Sequence, residues 1–258
     1  MSNVGIAIML TALAGLSTGI GGLAIFCSKK ENKKFLAFTL GFSAGVMLYV
    51  SFMELMVKAI GMLSPYYGDK IGTFYSVVWF FGGVIMTALI ARFIPEDTGR
   101  INEKQNSKNG LMRTGIVTAL AMGIHNFPEG MATFVSALSS PVMAIPIVVA
   151  IAIHNIPEGM AVSVPVYFAT GSRAKGFWYS FLSGIAEPIG AIAGYLILMP
   201  FFSEKVNAFV FAAVAGVMVF ISVNELLPSA QQYTKSSLSV YGAVLGMAVM
   251  ALSLILFM

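Results

Sequence analysis

The sequence predicts an all-α integral membrane protein of eight transmembrane helices arranged 3+2+3, spans 1–3 and 6–8 forming an inverted repeat around central spans 4 and 5. Three observations predict it. Of 258 residues, 58% are hydrophobic and 10% charged, with a mean hydropathy of +0.87, where soluble domains carry roughly 25% charged residues. Apolar runs of the length a spanning helix needs, about 20 residues at 1.5 Å rise, recur along the whole chain. Two pairs of these runs resemble each other across the middle of the sequence.

The runs cover residues 4–27, 35–60, 72–94, 112–138, 142–169, 176–201, 207–230 and 238–258, read by hydropathy against polar breaks. The first has no basic stretch ahead of it and no A-x-A-like cleavage site, so it is expected to be retained as a helix. Only one break is long: residues 95–110, PEDTGRINEKQNSKNG, polar and without aromatics, read as a flexible cytoplasmic loop. The rest forms a single transmembrane domain, residues 1–258. The lone Cys27 excludes an intramolecular disulfide and any CxxC metal site.

A net charge of +4 could suggest nucleic acid, but no basic stripe with interleaved aromatics is present. Topology explains the charge better. With eight spans, the odd-numbered loops hold Lys29, Lys30, Lys33, Lys34, Arg92, Arg100, Lys104, Lys108, Arg113, Arg173, Lys175 and Lys235, twelve bases against Lys58, Lys70 and Lys205 on the other face. The positive-inside rule then places the odd loops in the cytoplasm and both termini outside.

Residues 44–59, AGVMLYVSFMELMVKA, align without gaps to residues 215–230, AGVMVFISVNELLPSA, with eight identities. A second pair, ALAGLSTGIGGLA from Ala12 and FLSGIAEPIGAIA from Phe181, matches at five of thirteen positions. Span 2 thus resembles span 7, and span 1 resembles span 6. Partners five spans apart cross in opposite senses, which is the pattern of transporters whose substrate site lies at the repeat interface near the midplane.

Between the repeats stand IHNFPEGMA at residues 124–132 and IHNIPEGMA at residues 153–161, each inside an apolar span and together holding both histidines of the chain. Ionisable groups in lipid are expensive and mark function. His125 and Glu129 share a helical face at i, i+4, with Asn126 and Glu129 at i, i+3; His154, Asn155 and Glu158 repeat the spacing. Pro128 and Pro157 free carbonyls one turn earlier, and Gly130 and Gly159 allow the helices to approach. Carboxylates brought face to face need a cation between them, and this nitrogen and oxygen donor mix suits Zn²⁺, Fe²⁺ or Mn²⁺.

Glu187, ahead of Pro188 in span 6, is a third intramembrane carboxylate and a further metal candidate; its repeat partner is Thr18. Glu54 and Glu225 are equivalent in the other repeat and read as lying nearer the outer ends of their spans, with an entrance or a solvated structural role. Met47 and Met218 occupy matched mid-span positions, where packing is the default for a chain with 17 methionines.

The doubled HNxPEG motif on consecutive central spans, with the eight-span pattern and outward termini, resembles the ZIP family of zinc and iron permeases, in its short bacterial form. The resemblance implies metal uptake into the cytoplasm across a bacterial plasma (inner) membrane, zinc first, with iron, manganese and cadmium as further substrates and no prosthetic group. It also implies a two-metal centre: His125, Glu129, His154 and Glu158 around one ion, and Asn126, Glu129, Asn155, Glu158 and Glu187 around the other. Met47 falls where some members place a sulfur ligand. Many relatives carry a histidine-rich third loop, whereas Pro95–Gly110 has no histidine, so metal sensing there is not expected. The partners are divalent metal and lipid bilayer, with no nucleic acid; a homodimer is compatible with these features. The alternatives are an intramembrane metalloenzyme, for which the HExxH spacing is missing, and a metal-gated channel.

The charge bias sets a topology test on a Cys27→Ser background. Asn106→Cys should react with a membrane-impermeant maleimide only after permeabilisation, and Asp69→Cys in intact cells. The reverse pattern would invert the topology.

Overall fold

The apolar runs fold as helices. A computed structural model describes residues 3–27, 32–93, 103–139, 141–198, 203–232 and 237–256, and among these there is no strand. Helix α1 (Asn3–Gly22) ends in a 3-10 turn, Leu23–Cys27, and α2 (Lys33–Val50) passes through a π turn, Ser51–Leu55, into α3 (Met56–Tyr67). After α4 (Asp69–Phe93) come the two long central helices, α5 (Glu103–Ser139) and α6 (Pro141–Thr170). Then follow α7 (Arg173–Gly184), α8 (Ala186–Ala193), α9 (Glu204–Ile221), a π turn at Ser222–Leu226, α10 (Leu227–Gln232) and α11 (Leu238–Leu256). Among the described residues five segments are long and apolar enough to cross a membrane: Asn3–Phe26, Lys33–Tyr67, Asp69–Arg92, Glu204–Gln231 and Leu238–Leu256. The polar motifs sit on α5, α6 and α8, between these.

Three boundaries differ from the sequence reading. The break expected over 61–71 contracts to Gly68, because α3 continues through Pro65 to Tyr67. Gly68 adopts φ 75° and its N–H donates to the Ser64 carbonyl at 2.8 Å, a left-handed helix stop that suits glycine. The segment read as a loop over 95–110 is helical from Glu103 onward, while 94–102 lie outside the described residues. Span 6 is interrupted: α7 ends at Gly184 and α8 restarts after Ile185. Pro188 has no N–H to offer the Gly184 carbonyl, and Gly15 of α1 packs onto that carbonyl instead.

Packing repeats itself in a definite register. A methyl group at Gly45 of α2 would overlap the Ala243 carbonyl of α11; one at Gly216 of α9, the aligned position, would overlap the Phe80 carbonyl of α4. Gly159 of α6 lies on the Thr18 carbonyl of α1, and Gly130 of α5 on the Glu187 carbonyl of α8. Gly15 and Gly184, aligned with each other, each pack on the other's carbonyl. The two π turns also correspond, for Ser51 Oγ donates to Met47 O at 2.7 Å and Ser222 Oγ to Met218 O at 2.8 Å. Hydroxyl bonding back to the preceding turn competes with the α ladder and loosens it there.

Because a methyl group added at either glycine would overlap a carbonyl oxygen, Gly45→Ala and Gly216→Ala should each part a helix pair and cost about 1–3 kcal/mol. Thermal unfolding of the purified protein in detergent checks this. Unchanged melting in either variant would mean the pair is looser than the structure shows.

Candidate metal centre

Three helices hold the motif residues, with α1 and α2 packed behind them. His125, Asn126 and Glu129 stand on α5, His154, Asn155 and Glu158 on α6, and Glu187 in the first turn of α8. Asn126, Asn155, Glu158 and Glu187 are 0% exposed and His125 2%. The i, i+4 spacing aligns His125 with Glu129 as the sequence predicts: His125 Nε2 lies 3.5 Å from Glu129 Oε2. The same nitrogen lies 3.5 Å from Glu158 Oε1 of the neighbouring helix. One imidazole therefore stands between carboxylates from two helices. The side chain of His154 is outside the described residues, as is that of Pro128. Among the described residues no three His, Cys, Asp or Glu side chains converge as a complete ligand set, so the geometry is two carboxylates related through His125.

Glu187 joins this group from α8. Its carboxylate accepts from Asn155 Nδ2 and lies within electrostatic reach of both Glu129 and Glu158. Asn155 Nδ2 also donates to the Ala14 carbonyl at 3.1 Å, and Asn126 Nδ2 to the Ser183 carbonyl at 3.1 Å. These tethers orient both amides, since a flipped amide would set oxygen against oxygen. The Oδ1 atoms of Asn126 and Asn155 and Glu187 Oε2 are buried and have no hydrogen-bond partner among the described residues. Fixed oxygen acceptors with nothing donating to them suit a cation.

Met47 is fully buried one turn beyond Ser43, whose Oγ donates to the Pro157 carbonyl at 2.7 Å and docks α2 beside the α6 motif. Met47 packs in the main apolar cluster with Ala161 and Val162, and so does its repeat partner Met218. Sequence reasoning missed Ser43, Ser183 and Ala14. Serines on helices look like packing residues, and a backbone carbonyl has no signature in the sequence at all.

A profile of the ZIP zinc transporter family matches residues 96–254, the stretch that contains every motif residue from His125 to Glu187. The zinc transporter ZupT of Streptococcus mutans is 55% identical over 256 residues, covering 97% of each chain. The chain belongs to the ZIP family. The ZupT transporters of Clostridium perfringens, 52% identical over 100% of this chain and 98% of that one, and of Chlorobaculum parvum, 54% identical over 98% and 97%, are similar along their whole length as well. ZIP proteins are transporters rather than enzymes, and this one is a multi-pass membrane protein.

The equivalent glutamates of the other repeat, Glu54 and Glu225, stand in corresponding π turns but have different surroundings. Glu54 is 18% exposed and pairs with Lys58 of its own helix at 2.8 Å. Glu225 is 3% exposed and pairs with Arg113 Nη1 of α5 at 2.8 Å, with Asn224 Nδ2 donating at 3.0 Å. Arg113 Nη2 reaches the Ala91 carbonyl of α4 at 3.2 Å. Arg113, counted with the loop bases by sequence, is thus a helix residue that ties three elements together. Removing one member of a buried pair strands the other, at a cost of about 3–5 kcal/mol, whereas replacing both by apolar groups is close to neutral. Arg113→Met and Glu225→Leu should each lower the melting temperature strongly, and the double variant should recover most of the loss. Additive losses in the double variant would rule out the pairing.

Proposed function

We propose that this ZIP protein imports divalent transition metal, zinc foremost and iron, manganese and cadmium as further cargo, through a binuclear site on spans 4, 5 and 6. The observation that carries the reading is His125 Nε2 at 3.5 Å from both Glu129 Oε2 and Glu158 Oε1 inside an apolar helix bundle. That separation is long for a hydrogen bond. Donors 2.0–2.2 Å from a tetrahedral zinc lie about 3.3–3.6 Å from one another, so the spacing fits one edge of a coordination shell. His125, Glu129, His154 and Glu158 hold the first ion. Asn126, Glu129, Asn155, Glu158 and Glu187 hold the second, with Glu129 and Glu158 bridging.

The frame of the site is an eight-span 3+2+3 bundle with both termini outside, in the inner membrane of a bacterium. The paired helix contacts support it: α2 meets α11 through Gly45, as α9 meets α4 through Gly216. Spans 2 and 7 therefore each lean on the third member of the opposite repeat. Relatives named zinc transporters, about half identical along their whole length, support zinc as the main cargo. The mixed imidazole and carboxylate set also accommodates iron and manganese.

Radiolabelled zinc uptake by purified protein in proteoliposomes, with iron, manganese and cadmium as competitors, tests the reading. Glu129→Gln and Glu158→Gln should each abolish uptake while inserting normally, because a lost bridging anion leaves two cations to repel each other. Normal uptake by either variant would refute the binuclear site.

A further inference from the structure

The two halves of the candidate metal centre repeat the same helix contacts. Gly130 packs on the Glu187 carbonyl where Gly159 packs on the Thr18 carbonyl. Asn126 Nδ2 donates to Ser183 O where Asn155 Nδ2 donates to Ala14 O. Gly190 lies on the Phe127 carbonyl where Gly21 lies on the Ile156 carbonyl. Each of these contacts follows the register that aligns Gly15 with Gly184, and in that register Thr18 occupies in α1 the place that Glu187 occupies in α8.

Thr18 is 0% exposed, and its Oγ1 has no hydrogen-bond partner among the described residues. Thr118, Thr133, Ser163 and Ser253 share this among the described residues, whereas other buried helix hydroxyls bond back to the preceding turn. Thr11 on the same helix bonds back to Ala7 O at 3.0 Å, and Thr87 to Gly83 O at 2.9 Å. The acceptor that Thr18 would use in that way, the Ala14 carbonyl, already receives Asn155 Nδ2 and Ser17 Oγ. Its hydroxyl is thereby left for something else. Asn126, the counterpart of the asparagine that holds Glu187, has a buried Oδ1 that likewise lacks a partner.

We infer that Thr18 is a specificity-determining oxygen donor of the metal site, supplying a neutral hydroxyl to the cargo's coordination shell on the side opposite Glu187. This rests on the binuclear reading above. Neutrality matters to transport. Three carboxylates already face the cargo, and a fourth in the repeat-equivalent position would hold two divalent ions more tightly, whereas conduction needs binding weak enough for release. A hydroxyl adds coordination without adding charge. It also favours ions that prefer an oxygen-rich shell, manganese more than zinc.

Uptake of zinc and of manganese by proteoliposomes containing Thr18→Val, Thr18→Ser or Glu187→Gln tests it. Val keeps the shape and removes the hydroxyl; Ser keeps the hydroxyl. Thr18→Val should raise KM by about ten-fold, the lower end of what loss of a supporting metal contact costs, with kcat little changed and the rise larger for manganese. Thr18→Ser should stay close to the parent protein. Wild-type KM for both metals in Thr18→Val, or equal impairment of the Ser and Val variants, would overturn the inference. In the same vesicles, an inactive Glu187→Gln alongside a normal Thr18→Val would remove Thr18 alone, whereas a fully active Glu187→Gln would remove the underlying site.

Discussion

The rest of the structure depends on keeping three carboxylates in the interior of a helix bundle whose solvent is lipid. An isolated charge there is costly, so Glu129, Glu158 and Glu187 are tolerable only with opposite charge or donors arranged around them. The helices supply part of that arrangement: an imidazole between two carboxylates and an amide on the third. Asn126 Oδ1, Asn155 Oδ1 and Glu187 Oε2, which have no hydrogen-bond partner among the described residues, are what a divalent ion would complete. A resident lysine would neutralise the same charge permanently, and the site could then carry nothing.

Holding the donors in place demands close helix contacts, and these come from glycine. Gly130 and Gly159 follow directly after the motif glutamates and let α5 and α6 lie on the carbonyls of α8 and α1. Carbonyls at the same crossings accept the asparagine amides. Packing and ligand orientation are therefore one set of contacts, and a residue added at either glycine would disturb both. Further out, Arg113 and Glu225 tie α5 to the π turn after α9, so the helix that brings His125 is also held at its other end.

Much of this was legible in the sequence, because the signals were local or repeated. The HNxPEG pair placed His125 and Glu129 on one face by helical spacing alone, and the AGVM repeat aligned Gly45 with Gly216, which play matching parts in the packing. Other features were not. The Gly61–Ile71 break shrank to Gly68 because Pro65 is tolerated near the end of α3, and composition does not locate a helix end that tightly. Polar residues from Glu103 to Gly110 read as loop, yet α5 extends through them. The Arg113–Glu225 pair joins residues 112 apart, and no local pattern announces a contact of that range. The correspondence of α4 with α11 has no visible sequence repeat and emerges only from which carbonyl each glycine meets, Gly45 that of Ala243 and Gly216 that of Phe80.

Whether metal occupies the imidazole–carboxylate cluster can be measured directly by anomalous scattering at the zinc edge from crystals of the zinc-loaded protein. A peak between His125, Glu129 and Glu158, about 2.0–2.2 Å from each donor, is the result expected. Zinc found only at surface carboxylates such as Glu54 and Glu204, with the cluster closed by hydrogen bonds among its own side chains, would contradict it.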